Sequence, residues 1–398
     1  MALVENVDVL IVGSGPAGTS AALHLVQADP NWAQRIIVID KAVHPREKLC
    51  GGGITHMGQN VLADLGLTIE VPKFPVREAK ITFQDLAYSF VGNPVFIVVR
   101  RDEFDHWLVK KAEERGVNIR QGEALTDIQV KDDFVEVTTA LTRIRANAVI
   151  AADGSRSVIR TKLKWDDESR VARLLEILTP ENRKQAAFQD NVAVFDFSRI
   201  SDGLQGYYWD FPTLVNGEPT MNRGLFDSRI HPKRPKANLV NNLEDALADR
   251  QHDLADYKLK GNPIRWFDKK GRFSVPRVLL AGDSAGADPF VGEGISFALS
   301  YGQVAADAII DAFALNDFTF SDYRQRILEH NVLKQLPVRV RLARLAYRIK
   351  SPRIFRLGWR AARYLIRYTS WSDPDHDAVK KPTQTYDVRE GVEPFITP

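Results

Sequence analysis

One glycine-rich segment constrains the fold of this chain more than any other feature. Gly13-Ser14-Gly15-Pro16-Ala17-Gly18 follows the mostly apolar run Asp8–Val12 and precedes a helix-forming stretch, Thr19–Val26. A buried parallel strand, a tight glycine turn and a helix in this order are typical of a dinucleotide-binding βαβ unit. The sequence therefore predicts a Rossmann-type α/β domain that begins near the N-terminus.

The residues of this motif have separate physical roles. Gly13 allows the tight turn, Gly15 lets the backbone approach a pyrophosphate, and Gly18 lets helix and strand pack closely. A second apolar run ends on Asp40, 22 residues after Gly18, where a carboxylate can accept hydrogen bonds from ribose hydroxyls. A purely structural glycine turn is the alternative, and this segment alone leaves NAD and FAD open. The expected cofactor contacts here are Gly13, Gly15, Ala17, Gly18 and Asp40.

Two later strand ends extend the predicted site. The run Arg277–Ala281 leads into Gly282-Asp283, and a carboxylate at the carboxyl end of a parallel strand faces the ligand crevice. Asp283 could bond a ribityl hydroxyl of FAD, or it could simply cap a helix. Gly292 and Gly294 precede an apolar helix from Ile295, whose free N–H groups could stabilise negative charge on a reduced flavin ring.

These segments resemble the flavoproteins of the para-hydroxybenzoate hydroxylase group. The resemblance rests on Gly13–Gly18, on Ala152-Asp153-Gly154-x-x-Ser157-x-x-Arg160 and on Gly282-Asp283. It implies FAD as the cofactor. It also implies that Arg101, at the start of a helix, lies against the cofactor, with Arg100 as its rival, and that Ala124 passes the adenine.

Two further motifs narrow the resemblance to the geranylgeranyl reductase family. Pro45-Arg46-Glu47-Lys48-Leu49-Cys50-Gly51-Gly52-Gly53-Ile54 resembles that family's Cys-Gly-Gly-Gly segment, and Tyr207-Tyr208-Trp209-Asp210-Phe211-Pro212 resembles its Y-x-W-x-F-P signature. Membership implies hydride transfer from reduced flavin to an alkene of a prenyl-bearing substrate, with Cys50, Gly51 and Gly53 beside the cofactor. The signature commonly continues with lysine, whereas this chain has Thr213, which weakens the case for a phosphorylated head group.

The aromatic signature supports an apolar substrate independently. Tyr207, Trp209 and Phe211 alternate, so on a strand all three side chains point to one face. Such a face would form a flat wall for a slender apolar chain, or it could be an ordinary sheet core. Pro212 is expected to end the strand or to place it at an edge.

Cys50 is the single cysteine of the chain. A free cysteine is most often a small buried hydrophobic residue. Here three glycines follow it, and glycine permits close backbone approach to flavin or substrate. Our hypothesis is that Cys50 lies by the alkene and helps proton delivery or substrate placement. One cysteine excludes an internal disulfide and a cysteine-based zinc cluster, and we expect no bound metal.

Length and pattern predict the domain organisation. The 398 residues suggest two or three domains, and the order of motifs predicts a discontinuous FAD-binding domain with an inserted α+β substrate domain built on an antiparallel sheet. The segment Asp166–Asp190 is charged and predicts a helix or solvated loop. The predicted parts are an FAD-binding domain of residues 1–60, 96–160 and 265–325, a substrate domain of residues 61–95 and 161–264, basic C-terminal helices over 326–372 and an extended tail over 373–398.

The C-terminal part is strongly basic. No acidic residue interrupts the stretch from Lys334 to Arg367, although the net charge of the chain is only +3. Val338, Leu342, Leu345 and Ile349 recur at helix spacing beside arginines, so this stretch predicts a peripheral membrane contact or packed helices with a solvated basic face. Nucleic acid is not expected, because the aromatics form no stacking platform. The basic residues are Lys334, Arg339, Arg341, Arg344, Arg348, Lys350, Arg353, Arg356, Arg360, Arg363 and Arg367.

The sequence leaves the partners partly open. It has no basic leader and no apolar run long enough to span a membrane, which favours a cytoplasmic protein. The electron donor could be NAD(P)H, ferredoxin or a quinone, since no second G-x-G-x-x-G is present. An aromatic monooxygenase or flavin halogenase shares the FAD motifs and is the main alternative to a reductase, and a non-catalytic flavin-bearing adaptor at the membrane is a further one.

Overall fold

The chain forms two β-sheets with helices packed around them. The computed structural model describes residues 4–165, 170–349, 351, 353–354, 357–358 and 388–390. The strands are β1 (Val4–Val12), β2 (Ile36–Asp40), β3 (Gly53–Thr55), β4 (Lys73–Phe83), β5 (Leu86–Val99), β6 (Asn118–Gln121), β7 (Leu125–Val130), β8 (Val135–Thr139), β9 (Arg143–Ala151), β10 (Val171–Pro180), β11 (Val192–Asp196), β12 (Gly206–Val215), β13 (Glu218–Asp227), β14 (Lys260–Arg265), β15 (Ser274–Val275), β16 (Val278–Leu280) and β17 (Val388–Glu390). The α-helices are α1 (Pro16–Ala28), α2 (His56–Asp64), α3 (Arg101–Glu114), α4 (Val158–Lys162), α5 (Ala186–Gln189), α6 (Leu239–Ala248), α7 (Ile295–Leu315), α8 (Tyr323–Glu329) and α9 (Leu336–Ala346).

The first sheet has a parallel centre. Its order is β15-β16-β9-β1-β2-β6, and the hairpin β7–β8 joins it through β9. Strand β1 lies between two parallel partners, with Val12 opposite Ile39 of β2 and opposite Ala151 of β9. Helices α1 and α7 pack together, and the Ser20 hydroxyl donates to the Leu299 carbonyl at 2.7 Å. The predicted Rossmann-type domain is confirmed, and the carboxyl ends of β1, β2, β9 and β16 meet at one edge.

The second sheet is almost entirely antiparallel. Its order is β14-β10-β13-β12-β11-β4-β5-β17, with β3 attached to β5, and β11 and β4 form a parallel pair. The expectation that Pro212 ends its strand was wrong, because β12 continues to Val215. At Pro212, however, β12 pairs with β13 alone, since its pairing with β11 stops at Asp210.

The segment predicted as a helix or loop contains a central strand as well as the short helix α5. β10 lies between β13 and β14, so it is paired on both edges. The charged residues of β10 misled the prediction, because they have partners on neighbouring elements. Arg173 forms an ion pair with Asp227, and Glu176 is buried. A strand can carry such charges when partners on neighbouring elements satisfy them.

The described part of the C-terminal region packs on the body of the protein. Helices α8 and α9 follow α7, and Leu333, Leu336 and Ala343 are buried there. Most of the predicted basic stretch after residue 349 and most of the extended tail lie outside the described residues, and residues 388–390 of that tail form the short strand β17. Among the described residues, no helix is long and apolar enough to cross a bilayer.

Candidate FAD and substrate site

One cavity of about 550 Å³ receives residues from both sheets. From the first sheet come the ends of β1 and β2 and the turns that follow β9 and β16. From the second sheet come apolar and aromatic residues of β5, β10, β11, β12 and β13. A mostly apolar cleft with a few convergent polar groups is the usual form of a cofactor or substrate site.

The glycine turn after β1 forms one end of this cavity. Gly13 has a φ of +105°, and a Cβ built there would lie 2.4 Å from the Ala152 carbonyl oxygen. A Cβ at Gly18 would lie 1.9 Å from the Gly13 carbonyl oxygen, so neither position accepts a side chain. Helix α1 begins at Pro16 with Gly15 as its N-cap, and no side chain caps it. The first N–H groups of α1 are thus directed to the cavity end, as a pyrophosphate requires.

Asp40 is fixed beside this turn. One of its carboxylate oxygens accepts from the Ser14 N–H at 2.7 Å and from the Ser14 hydroxyl at 2.8 Å. The other oxygen accepts from the Ala42 N–H at 2.9 Å. The carboxylate is buried and lines the cavity, so the acid at the end of β2 is rigidly placed for a ribose.

Arg101, rather than Arg100, lies on the cavity wall. Its guanidinium donates to both carboxylate oxygens of Asp105, at 2.7 and 2.8 Å. Burial opposes its charge, but Asp105 outweighs burial and the pKa of Arg101 is raised. Arg100 instead contacts Asp102 at 3.5 Å and Glu176 at 3.9 Å. A buried, fully ionised arginine suits contact with an anionic or polar cofactor group.

The turn after β16 and the start of α7 complete the cofactor end. Asp283 accepts a hydrogen bond from the Ser155 hydroxyl at 3.0 Å and lines the cavity. It caps no helix, because Ala281 is the N-cap of the short 3₁₀ turn there and Gly294 is the N-cap of α7. The N-terminus of α7 therefore opens at Gly294 and Ile295, both on the cavity wall.

The segment 288–294, which we call the α7 loop, is anchored from the C-terminal helix α9. Asp288 accepts from the N–H groups of Phe290 and Val291 at 2.7 and 3.2 Å. Arg339 contacts Asp288 at 2.8 Å and Glu293 at 3.0 Å. The prediction that Arg339 belongs to a solvated or membrane-facing basic face was wrong, because this arginine is buried at an ion-paired position.

The aromatic signature lines the other end of the cavity. Tyr207, Trp209 and Phe211 project to the same face of β12 and are buried. Phe195 from β11 lies 4.8 Å from Phe211, and Phe96 from β5 lies 5.6 Å from it, centroid to centroid. The five rings form a continuous surface, which we call the aromatic wall.

Cys50 lies where the two ends meet. It lines the cavity, and its sulfur accepts from the Gly52 N–H at 3.4 Å. Its N–H donates to Glu176 at 2.6 Å and its carbonyl accepts from Asn222 at 3.0 Å. A Cβ at Gly51 would lie 3.0 Å from the Phe211 ring, so the glycine segment packs closely on the wall.

The structure brings nearly all the expected site residues to one cavity. Gly18 is the exception, since it packs α1 against the glycine turn. Cavity residues that sequence reasoning missed include Phe96, Phe195 and Lys48. Lys48 stands within the Cys-Gly-Gly-Gly segment, so the motif itself was the available signal. Phe96 and Phe195 come from strands distant in sequence, and no local pattern links them to β12. The expected residues that line the cavity are Gly13, Gly15, Ala17, Asp40, Cys50, Gly51, Gly53, Arg101, Ala124, Tyr207, Trp209, Phe211, Asp283, Gly292, Gly294 and Ile295.

Comparison with known proteins agrees with this geometry. The family model described as "FAD binding domain" matches residues 6–300, about three quarters of the chain. The chain belongs to the FAD-binding-domain family. Its cofactor is FAD, and the rigid glycine turn, the fixed Asp40 carboxylate and the open N-terminus of α7 fit that dinucleotide at three separate points.

Curated relatives of this FAD-binding protein include two reductases. A menaquinone reductase of Mycobacterium tuberculosis is 27% identical over 340 residues, which cover 78% of each chain. The digeranylgeranylglycerophospholipid reductase 3 of Methanosphaera stadtmanae is 26% identical over 363 residues, which cover 84% of this chain and 87% of the relative.

Solved structures share the fold of the FAD-binding protein. A geranylgeranyl bacteriochlorophyll reductase-like protein of Thermoplasma acidophilum aligns with a TM-score of 0.73 and 22% identity, over 89% of this chain and 90% of its own. The flavin-dependent halogenase CmlS aligns with a TM-score of 0.61 and 21% identity, over 86% of this chain and 62% of its own. The predicted resemblance to the geranylgeranyl reductase group is confirmed by these relatives, and the protein is an FAD-dependent oxidoreductase.

Proposed function

We propose that the protein saturates carbon–carbon double bonds of an isoprenoid chain. The observation that carries this proposal is the junction of two surfaces in one cavity, the FAD cradle at one end and the aromatic wall at the other. A continuous wall of buried rings suits a long, thin apolar chain, because it offers contact area along the whole chain and no polar group that would remain unpaired. The reductase relatives support the same substrate class.

Each part of the cavity has a role in this reaction. When bound and reduced, FAD supplies the hydride for one alkene carbon. The wall residues Tyr207, Trp209 and Phe211 hold the alkene in place and exclude water. The Cys50 sulfur, which accepts the Gly52 N–H, holds the proton for the second alkene carbon. Arg101 and Asp283 hold the polar groups of the cofactor.

An anaerobic turnover assay tests the proposal. The FAD-loaded protein is reduced with dithionite and mixed with a prenylated quinone or with geranylgeranyl diphosphate. Mass spectrometry of the product should show a gain of two hydrogens for each reduced double bond. Because Thr213 stands where the family signature commonly has lysine, we expect the quinone to react faster than the diphosphate. No saturated product from either substrate would contradict the proposal.

A cysteine variant tests the proton role separately. Cys50→Ala should keep FAD and its reduction by dithionite, while alkene saturation falls by roughly 10²-fold, the usual contribution of a positioned proton donor. Cys50→Ser retains a hydroxyl and should recover part of that loss. Full turnover in Cys50→Ala would remove the proton role and leave the substrate class untouched.

An aromatic monooxygenase or halogenase is the alternative, and a separate aerobic assay tests for it. Both react reduced flavin with oxygen, so they would consume oxygen coupled to NAD(P)H oxidation when an aromatic substrate is added. In the anaerobic assay, comparison of dithionite with NAD(P)H, reduced ferredoxin and a quinol as electron donors identifies the natural donor class.

We also propose that α9 contacts the surface of an anionic membrane. Its outward side carries Val338, Leu342 and Leu345, whose residues are 50%, 38% and 64% exposed. Arg341 and Arg344 are exposed beside this ridge. An apolar ridge flanked by cations is complementary to a bilayer with negative head groups, where an isoprenoid substrate partitions.

Vesicle co-sedimentation tests this contact. We expect the protein to bind vesicles that contain phosphatidylglycerol more tightly than vesicles of phosphatidylcholine alone. Leu345→Glu should weaken this binding, whereas Leu315→Glu, at the exposed C-terminal end of α7, should not. Equal binding of both variants and the wild type, or a change of oligomeric state alone, would contradict a lipid contact at α9.

A further inference from the structure

A polar cluster from the second sheet holds the Cys50 peptide at both of its ends. Glu176 from β10 accepts from the Cys50 N–H at 2.6 Å, and Asn222 from β13 donates to the Cys50 carbonyl at 3.0 Å. The Asn222 amide nitrogen also lies 3.3 Å from the second oxygen of Glu176. Its amide oxygen accepts from the Trp209 indole N–H at 2.9 Å.

This cluster therefore connects two parts of the site that are distant in the sequence. Cys50 carries the thiol, and Trp209 is the middle residue of the signature on β12. The side chain of Trp209 lies over Gly224, where a Cβ would come within 2.5 Å of the indole ring. Glu176 is opposite Gly224 in the pairing of β10 with β13, so Glu176 and Trp209 flank the same glycine.

We propose that Glu176 and Asn222 are positioning residues that fix the Cys50 peptide and the Trp209 indole as one unit. One Glu176 oxygen accepts from Cys50 and the other from Asn222, whose amide also contacts the Cys50 carbonyl and the Trp209 indole. The inference deepens the proposed function and rests on it for the turnover measurement only.

The electrostatic surroundings make this cluster sensitive to pH near neutrality. Burial raises the pKa of Glu176 to about 7, and Arg100, Lys260 and the hydrogen bonds from Cys50 and Asn222 only partly oppose that rise. Arg100 approaches from the start of α3 at 3.9 Å, and Lys260 lies on the neighbouring strand β14. The Cys50 thiol is the other titratable group beside the carboxylate. Because the folded site favours protonated Glu176, the cluster is held more firmly below pH 7 than above it.

The thiol of the single cysteine gives a readout that does not need turnover. The full-length, FAD-loaded protein is treated with a disulfide reagent such as dithiobis(nitrobenzoate), and the rate of Cys50 modification is measured between pH 6 and pH 8.5. Because only the wild type must ionise a buried carboxyl, and because ionisation favours local opening, Glu176→Gln should lower this rate severalfold at the alkaline end. The ratio of variant to wild type should approach one at the acid end, where the wild-type carboxyl is protonated and neutral like glutamine.

A second variant separates position from charge. Asn222→Ala removes the other anchor without changing any charge, and it should raise the modification rate severalfold at every pH. Glu218→Gln, an exposed carboxylate on the same strand as Asn222, is the matched control and should leave the rate unchanged. In turnover, Asn222→Ala should lower kcat more than it raises KM, whereas Glu176→Gln should lose the fall in rate that the wild type shows as Glu176 ionises above pH 7.

Two results would overturn the inference. One is a Cys50 modification rate that is unchanged in both Glu176→Gln and Asn222→Ala. The other is a ratio for Glu176→Gln that is the same at every pH. If the wild type reduces no alkene, the proposed function fails, but the thiol measurement still decides the role of Glu176 and Asn222.

Discussion

The two faces of β12 have opposite surroundings: one lines the cavity, and the other is packed against the rest of the protein. The front face carries Tyr207, Trp209 and Phe211, which form the cavity wall. The back face carries Tyr208 and Asp210, which are buried against α6 and the segment that follows it. Alternation along a strand separates the faces completely, since neighbouring side chains point in opposite directions.

Ion pairs and hydrogen bonds satisfy the buried polar groups of the back face. Asp210 accepts from Arg223 at 2.8 Å, from Arg250 at 2.6 Å and from the Tyr208 hydroxyl at 2.7 Å. Arg223 also contacts Glu181 at 2.7 Å. Burial opposes the charge of Asp210, but Arg250 and Arg223 outweigh it, and the pKa of Asp210 is lowered. The back face thus stabilises the sheet, while the front face leaves its rings free to contact a substrate.

We expect the largest effect, a loss of unfolding free energy, from the back-face variant Asp210→Ala. Arg223, Arg250 and the Tyr208 hydroxyl would lose this acceptor, and removal of one partner from a buried ion-pair network typically costs about 3–5 kcal/mol of unfolding free energy. Chemical denaturation followed by circular dichroism measures the loss. Protein that remains folded should still bind FAD with its ordinary absorbance, because Asp210 faces away from the cavity.

Asp249→Ala is the matched control for that loss. Asp249 contacts Arg199 at 3.0 Å across the surface, where an ion pair contributes at most about 1 kcal/mol. A destabilisation by Asp210→Ala no larger than that of Asp249→Ala would show that the back-face network does not hold the sheet.

The pH dependence of stability should have opposite signs on the two sides of the sheet. Glu176, on the front, has a pKa raised by burial to about 7 from 4.5, so its contribution to stability is full below pH 4.5 and is lost as pH rises through 7. On the back, burial lowers the pKa of His252 from 6.5, so its contribution is present above pH 6.5 and is lost as pH falls through the lowered value.

Comparison of wild type with Glu176→Gln isolates the front-side contribution. Between pH 4.5 and pH 8, the stability of the wild type relative to the variant should fall by on the order of 2 kcal/mol, because only the wild type must ionise a buried carboxyl. Urea unfolding at both pH values measures this change. If the difference in unfolding free energy between wild type and variant were the same at both pH values, Glu176 would not be the group that ionises in this range.

The sequence was sufficient to predict the parts of the site that short motifs encode. The glycine turn, Asp40 and the start of α7 each follow a strand and were expected at one sheet edge, because parallel strands align their carboxyl ends. The alternation of Tyr207, Trp209 and Phe211 likewise predicts a shared face.

The remaining features depend on contacts between distant segments. The sequence of β10 predicts a solvated segment because Arg173 and Glu176 are charged. Only the contacts with Asp227 and Cys50 explain why half-buried Arg173 and buried Glu176 lie in a strand paired on both edges. Arg339 was grouped with surface arginines for the same reason, since its partners lie about 50 residues away in the α7 loop. Charge alone does not tell a buried ion pair from a solvated one.

The smallest expected effect on stability comes from the hydroxyl groups of two adjacent tyrosines, one on each face of β12. The Tyr207 hydroxyl donates to the Val291 carbonyl in the α7 loop at 2.6 Å, and the Tyr208 hydroxyl donates to Asp210 at 2.7 Å. Tyr207→Phe and Tyr208→Phe each remove one hydroxyl without removing a ring. Each should lower the unfolding free energy by about 1–2 kcal/mol, with the larger loss at Tyr208 because its acceptor is charged.

The two variants should differ in activity. Tyr207→Phe frees the α7 loop beside Gly292, so it should change the flavin absorbance and lower alkene reduction severalfold, whereas Tyr208→Phe should change neither. Both variants are measured at a temperature well below their unfolding midpoints, so that lost stability does not appear as lost turnover. If the two variants lost activity equally, the division of β12 into a functional and a structural face would be wrong, because the residues differ in little besides the side of the sheet they face.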